Sequence, residues 1–214
     1  FRLKRKFLLT ALLFLICFIV WTLMVSSVDV QPIGPEKSTV GFATVNGWFH
    51  NLTGVHMFLY DLTDMLSLIP FGFVFGFAVL GLTQWIKRKK LSAVDSDILL
   101  LGGFYVATGL AYLFFEIFAV NFRPVLIKGI LEASYPSSTT LLVICIMSTA
   151  IIQMYHRIKN KPIRNTVIVG MTVFSVFMVI GRAVCGVHWL SDIIGGILLS
   201  TGLVMTYRSF LHFK

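Results

Sequence analysis

Six apolar runs, each close to or beyond the roughly 20 residues that carry an α-helix across a bilayer, recur along this chain. They cover residues 7–25, 66–86, 98–122, 139–155, 166–181 and 189–207. Inside hydrocarbon only helices and closed barrels satisfy their backbone, and long apolar runs without strict alternation are helical. The chain therefore reads as an all-α, polytopic membrane protein with six transmembrane helices. Hydrophobic residues at 57%, charged residues at 13% and a mean hydropathy of +0.88 exclude a soluble domain. Six spans in 214 residues leave a single membrane-embedded domain, 1–214, with short loops apart from segment 27–65. The first run follows Arg2, Lys4, Arg5 and Lys6. It is longer than a signal-peptide core and no small-residue cleavage site follows it, so it reads as an anchor.

A net charge of +9 invites a nucleic-acid surface, but its distribution points elsewhere. Fourteen of the 18 Lys and Arg fall within 1–6, 87–97, 156–165 and 208–214, the four pieces on the N-terminal side of the membrane. The other side keeps Lys37, Arg123, Lys128 and Arg182. This is the positive-inside pattern, with both termini cytoplasmic. The basic clusters are then topology signals facing the lipid bilayer, and no nucleic acid is called for. Cys17, Cys145 and Cys185 lie in or beside apolar segments without metal-ligand spacing and are assigned to packing.

With this orientation, the polar residues unusual for a membrane chain gather at the outer boundary. The third run ends in "EIFAVNFRP", with Glu116, Arg123 and Pro124, and the fourth begins in "YPSSTT". The fifth ends at Arg182 and the sixth begins at His188. An active site at the outer ends of helices 3–6 is the expectation. His188 and Asp192 stand i, i+4, one helical turn apart. A carboxylate so placed can accept from one imidazole nitrogen and leave the other free as nucleophile. Arg123 and Arg182 keep their charge, and their planar forks match phosphate oxygens. Ser137, Ser138 and Thr139 sit where a loop enters helix four, and a helix N-terminus is a natural anion site. Together these groups describe phosphoryl transfer through a phosphohistidine, with neither metal nor cofactor required.

Arg182, five residues, His188, three residues and Asp192 resemble the third motif of the type 2 phosphatidic acid phosphatase superfamily. "RP" at Arg123–Pro124 is similar to the end of that family's first motif, and "PSS" at 136–138 to the start of its second. The resemblance implies an integral-membrane lipid phosphatase, with His188 as nucleophile and Asp192 orienting it; short loops and compactness point to a multi-pass protein of a bacterial plasma membrane. Arg123, Arg182, Ser137 and the backbone near Ser138 would hold the phosphate of a membrane lipid.

Two positions depart from the family pattern. Glu116 stands where the first motif begins with lysine, and Thr139 where the second ends in the histidine that protonates the leaving oxygen. A threonine hydroxyl is a poor proton source near neutral pH, and general-acid help is typically worth about 10²–10⁴-fold. Glu116, in a membrane span, is either a replacement proton donor or the partner of Arg123 or another buried cation. A lipid diphosphate expels a phosphate monoester, which leaves with little help, so the expected substrate is a polyprenyl (undecaprenyl-type) diphosphate. Phosphatidylglycerol phosphate and phosphatidic acid are the alternative substrates. A non-catalytic lipid-binding or transport protein and a lipid phosphotransferase are the alternative functions.

Segment 27–65 contains His50, His56, Asp61 and Asp64 among Trp48, Phe49, Phe58 and Tyr60, which suits an extracytoplasmic interfacial helix. "NLT" at 51–53 matches a glycosylation sequon, frequent by chance. Gly181, Gly195 and Gly196 suit close helix approach, and Trp189 suits an interfacial anchor.

Overall fold

A computed structural model of the protein describes residues 2–211; Phe1 and Lys214, in the two terminal segments, lie outside the described residues. Those described form eight α-helices and no β-strand: α1 Arg2–Ser27, α2 Ala43–Thr53, α3 Met57–Leu66, α4 Leu68–Arg88, α5 Ser96–Ile117, α6 Ser138–Arg157, α7 Lys161–Val184 and α8 Leu190–Phe210. Ser67 keeps right-handed helical angles between α3 and α4, so Met57–Arg88 is one apolar stretch of 32 residues. With it, six segments are long and apolar enough to cross a membrane.

Side-chain size decides which helices sit inside. Lipid tails are as apolar as leucine, so helices in a bilayer associate through small residues and hydroxyls that let backbones approach. α6 and α8 are rich in both, and bury Thr139, Thr140 and Thr149 on one and Gly195, Gly196 and Ser200 on the other. A side chain at Gly195 would lie 2.6 Å from the Tyr135 ring, so the expected role of this glycine in close packing holds. α1, α4 and α7 instead turn large apolar residues outward, among them Leu13, Phe75 and Val173. α1 lies along α8: the Trp21 indole donates to the Ser191 carbonyl at 3.0 Å near one end. At the other, the Arg208 guanidinium stands 4.4 Å from the Phe7 ring centroid.

Five of the six apolar runs fall, to within one residue, inside the helical segments that form. The third does not. It was expected to continue to residue 122, but α5 stops at Ile117, where Phe118 leaves helical geometry (φ −103°, ψ 73°). The apolar Phe118, Ala119, Val120 and Phe122 prolong the hydropathy signal without prolonging the helix. Residues 118–137 form a folded loop tied by antiparallel bridges Phe122–Ala133 and Ile127–Ile130, with Asn121 buried.

Segment 27–65 yields two helices rather than one. α2 exposes Trp48 and Leu52, while its buried Asn46 accepts from the Ser191 N–H (3.1 Å) and donates to the Ser191 hydroxyl (2.9 Å). Gly54, at φ 70°, ends α2. Beyond it the chain crosses Gly186 so closely that a Cβ there would lie 2.0 Å from the Gly54 carbonyl oxygen. Gly186 also has φ 74°, so both sterics and backbone angle require glycine. Trp189 is 3% exposed and donates its indole N–H to the Phe122 carbonyl at 2.7 Å. It is a core strut and not an interfacial anchor.

Candidate active site

His188 lies in the short connection between α7 and α8, and not on a helix. α8 begins at Leu190 because Asp192, in its first turn, reaches back to accept from the Trp189 backbone N–H at 3.0 Å. An acidic residue at this position satisfies a free donor and complements the helix dipole. The expected shared helical face of His188 and Asp192 therefore does not form, and no direct hydrogen bond joins them. Ser134 stands between: its hydroxyl is 3.0 Å from His188 Nδ1 and donates to Asp192 Oδ2 at 2.5 Å. The other carboxylate oxygen accepts from Asn121 Nδ2 at 3.2 Å and from the Ser191 hydroxyl at 3.4 Å. Asp192 is wholly buried and saturated with donors.

The second imidazole nitrogen faces a cation. His188 Nε2 is 3.4 Å from an Arg123 terminal nitrogen. Burial first, then the nearby charges of Arg123 and Arg182, hold His188 well below the ordinary imidazole range, against a smaller opposing pull from the Ser134 backbone. The ring is thus neutral, with a lone pair to use, at neutral pH.

Arg123 comes from the folded loop and Arg182 from the last turn of α7, and both border one cleft of about 620 Å³. Tyr60 stands between them, its ring centroid 5.9 Å from the Arg123 guanidinium carbon and 4.9 Å from that of Arg182. Each arginine has a carboxylate at hand. Arg123 Nε is 3.0 Å from Glu132 as an ion pair not aligned for hydrogen bonding, and one Arg182 terminal nitrogen is 3.0 Å from Asp64. That same nitrogen donates to the Thr139 hydroxyl oxygen at 2.7 Å. Arg182 is 2% exposed, yet its Nε and other terminal nitrogen have no hydrogen-bond partner among the described residues. Buried donors without acceptors are costly and rare in folded proteins. Beside a polar cleft, they fit an arriving anion.

Of the other anticipated residues, Ser138 and Thr139 border this cleft. Ser137 does not: it is fully buried as the N-cap of α6, accepting from the Thr140 N–H (3.4 Å) and hydroxyl (3.0 Å). Its own N–H donates to the Asp192 carbonyl at 3.0 Å, which pins the start of α6 to α8. Glu116 lines the cleft from the exposed last turn of α5 and has no hydrogen bond or ion pair among the described residues. The pairing with Arg123 expected as one option is made by Glu132 instead, because α5 ends before Arg123 and the loop folds Glu132 back beside it. His50 and His56 brace the connection before His188. His50 Nε2 is 3.2 Å from the Gly186 carbonyl, and the His56 backbone N–H donates to the Cys185 carbonyl at 2.9 Å.

Four residues of this site carry little or no local sequence signal. Ser134 and Asn121 sit in what hydropathy reads as loop and span. Glu132 and Asp64 are ordinary surface acids until the fold places arginines beside them. Only Asp64, four residues beyond Tyr60 on one helix face, left a trace.

The architecture is that of a polytopic, all-α membrane protein. No protein-family model and no curated protein matches the chain by sequence. The fold is matched by the crystal structure of the first transmembrane PAP2-type phosphatidylglycerolphosphate phosphatase from Bacillus subtilis. That match has a TM-score of 0.65 and 14% sequence identity, over 94% of each chain.

Proposed function

We propose that this protein is a lipid phosphatase of the type 2 phosphatidic acid phosphatase superfamily, acting on a membrane lipid phosphate or diphosphate through a phosphohistidine at His188. The observation that carries the proposal is His188 Nε2, 3.4 Å from Arg123, which borders the cleft together with Arg182 and its two unpartnered buried nitrogens. The Nε2 lone pair attacks phosphorus, and the bond to the leaving oxygen breaks with its electron pair on that oxygen. Arg123 and Arg182 hold the non-bridging oxygens as charge builds, helped by Ser138, Thr139 and the free N–H groups at the start of α6. Water then attacks the phosphohistidine, releasing inorganic phosphate and restoring the imidazole.

Thr139 decides the preferred substrate. Its oxygen accepts from Arg182, leaving its proton able to hydrogen-bond a leaving group but not to be transferred at neutral pH. A leaving group that needs no proton is the better match, which favours a polyprenyl diphosphate of the undecaprenyl type. Phosphatidylglycerol phosphate is the second candidate, from the activity named for the Bacillus subtilis protein of like fold. We place the site on the extracytoplasmic side of a plasma membrane, with both termini cytoplasmic. Lys87 to Lys90, Arg157, Lys159 and Lys161 gather at the opposite end of the bundle, as the positive-inside rule requires.

The test is phosphate release from detergent-solubilised lipids by wild type and His188→Ala, with acid-quench trapping of phosphate on the protein. Faster turnover of polyprenyl diphosphate than of phosphatidylglycerol phosphate or phosphatidic acid, and no trapped phosphate in the variant, is expected. Equal turnover by His188→Ala would refute the mechanism, and the reverse substrate order would refute the leaving-group argument.

A further inference from the structure

We infer that the Ser134 hydroxyl is the positioning group that fixes the His188 tautomer, linking the imidazole to Asp192 as the middle member of a hydrogen-bonded relay. A hydroxyl has one proton to give. Ser134 gives it to Asp192 Oδ2, at 2.5 Å, the shorter and charge-assisted bond. Toward His188 Nδ1, at 3.0 Å, the same oxygen then acts as acceptor, so Nδ1 carries the hydrogen. The opposite nitrogen demands the same answer independently. Nε2 faces an Arg123 nitrogen at 3.4 Å, and guanidinium nitrogens only donate, so Nε2 presents a lone pair. The reverse tautomer would set N–H against N–H at Arg123.

Asp192 cannot do this alone. Its oxygens are occupied by Ser134, the Trp189 N–H, Asn121 and Ser191, and none is hydrogen-bonded to the imidazole. It anchors Ser134 and the start of α8 instead. Ser134 is 2% exposed, so water does not compete for its single proton. As positive charge develops on the phosphorylated ring, the Nδ1–H dipole points at an oxygen already polarised by a carboxylate.

Resting on His188 as the nucleophile proposed above, Ser134→Ala is expected to lower kcat about 10–100-fold while KM stays within about twofold, as loss of a group that orients another does. Ser134→Thr, which keeps the hydroxyl, restores at least part of that loss. A readout separate from turnover is the ¹⁵N spectrum of histidine-labelled full-length protein in detergent near pH 8, with the His188 signals identified by their loss in His188→Ala. Wild type should show a protonated Nδ1 and a bare Nε2, and Ser134→Ala a mixture of tautomers. A bare Nδ1 in wild type overturns the inference, as does Ser134→Ala with unchanged tautomer and unchanged kcat, which would leave the backbone of residue 134 as the orienting group. If wild type hydrolyses none of the lipids, the phosphatase proposal fails by itself, while the spectrum still decides the relay. If Ser134→Ala does not fold, a bare Nδ1 in wild type still overturns the inference, and Ser134→Thr carries the comparison.

Discussion

Two arginines near opposite ends of the bundle are treated in opposite ways. At the end where α1 begins and α8 finishes, Arg157 is tied down: its Nε donates to Gln153 at 3.0 Å and a terminal nitrogen bonds Asp97 at 2.5 Å. Gln153 in turn donates to the Tyr207 hydroxyl at 2.8 Å, so one polar network locks α5, α6 and α8 together. At the other end Arg182 is more deeply buried, yet most of its donors are unmet. Under the proposed function, the difference separates what a membrane bundle does to stay folded from what it does to bind. A satisfied buried network rigidifies, whereas an unsatisfied one stores binding capacity at a cost in stability.

The sharpest way to break this contrast is one substitution made at both ends. Arg182→Met should lower kcat/KM about 10²–10³-fold, as loss of a group aimed at transition-state charge does, with the melting temperature unchanged or raised. Arg157→Met should do the reverse. It leaves the largely buried Asp97 carboxylate without its partner and destabilises by about 1–3 kcal/mol, with activity per folded molecule intact. Phosphate release and thermal unfolding in the same detergent decide both, and a collapse in melting temperature for Arg182→Met would erase the distinction.

Acidity gives an intermediate effect. The folded-state pKa of His188 is depressed, so the imidazole stays neutral well below its ordinary value of about 6.5, and the acid limb of kcat/KM lies correspondingly low. Arg123→Gln removes one of the charges that depress it, which should move that limb upward on the same substrate. For stability the sign follows: the unfolded chain takes up a proton near pH 6.5 that the folded site refuses. This contribution to stability is therefore complete above about pH 6.5 and declines as pH falls toward the folded pKa. Denaturation midpoints that rise on acidification through this window would contradict the sign.

The smallest effects concern the carboxylates around the cleft. Asp64 is more than half exposed, and exposed ion pairs contribute up to about 1 kcal/mol. Asp64→Asn should therefore lower KM, or the inhibition constant for inorganic phosphate, by no more than about fivefold. Glu116→Gln should leave the rate within about threefold and the pH profile unmoved. A larger loss with a shifted basic limb would make Glu116 the missing proton donor.

Much of this was legible before any coordinates. Bilayer thickness makes a transmembrane helix a statement about length and polarity, both of which a sequence displays openly, and the Arg182, His188 and Asp192 spacing was visible for the same reason. What hydropathy cannot separate is apolar helix from apolar loop, so the third run extends past Ile117 to residue 122, five residues beyond the helix itself. Helix periodicity likewise suggested that Asp192 would touch His188. The first turn of α8 makes a different use of that carboxylate, and the bond passes to Ser134, which is 54 residues from His188 in sequence. Partners at such separations leave no periodic trace.

The first helix has a consequence larger than its sequence suggests. Thr22 shares a 2.7 Å hydrogen bond with the Tyr135 hydroxyl, and Trp21 reaches the Ser191 carbonyl. Tyr135 adjoins Ser134, and Ser191 adjoins Asp192. The first helix, which lines no part of the cleft, thus braces the neighbours of Ser134 and Asp192 from behind, and a protein trimmed behind residue 27 would keep every motif while losing that brace.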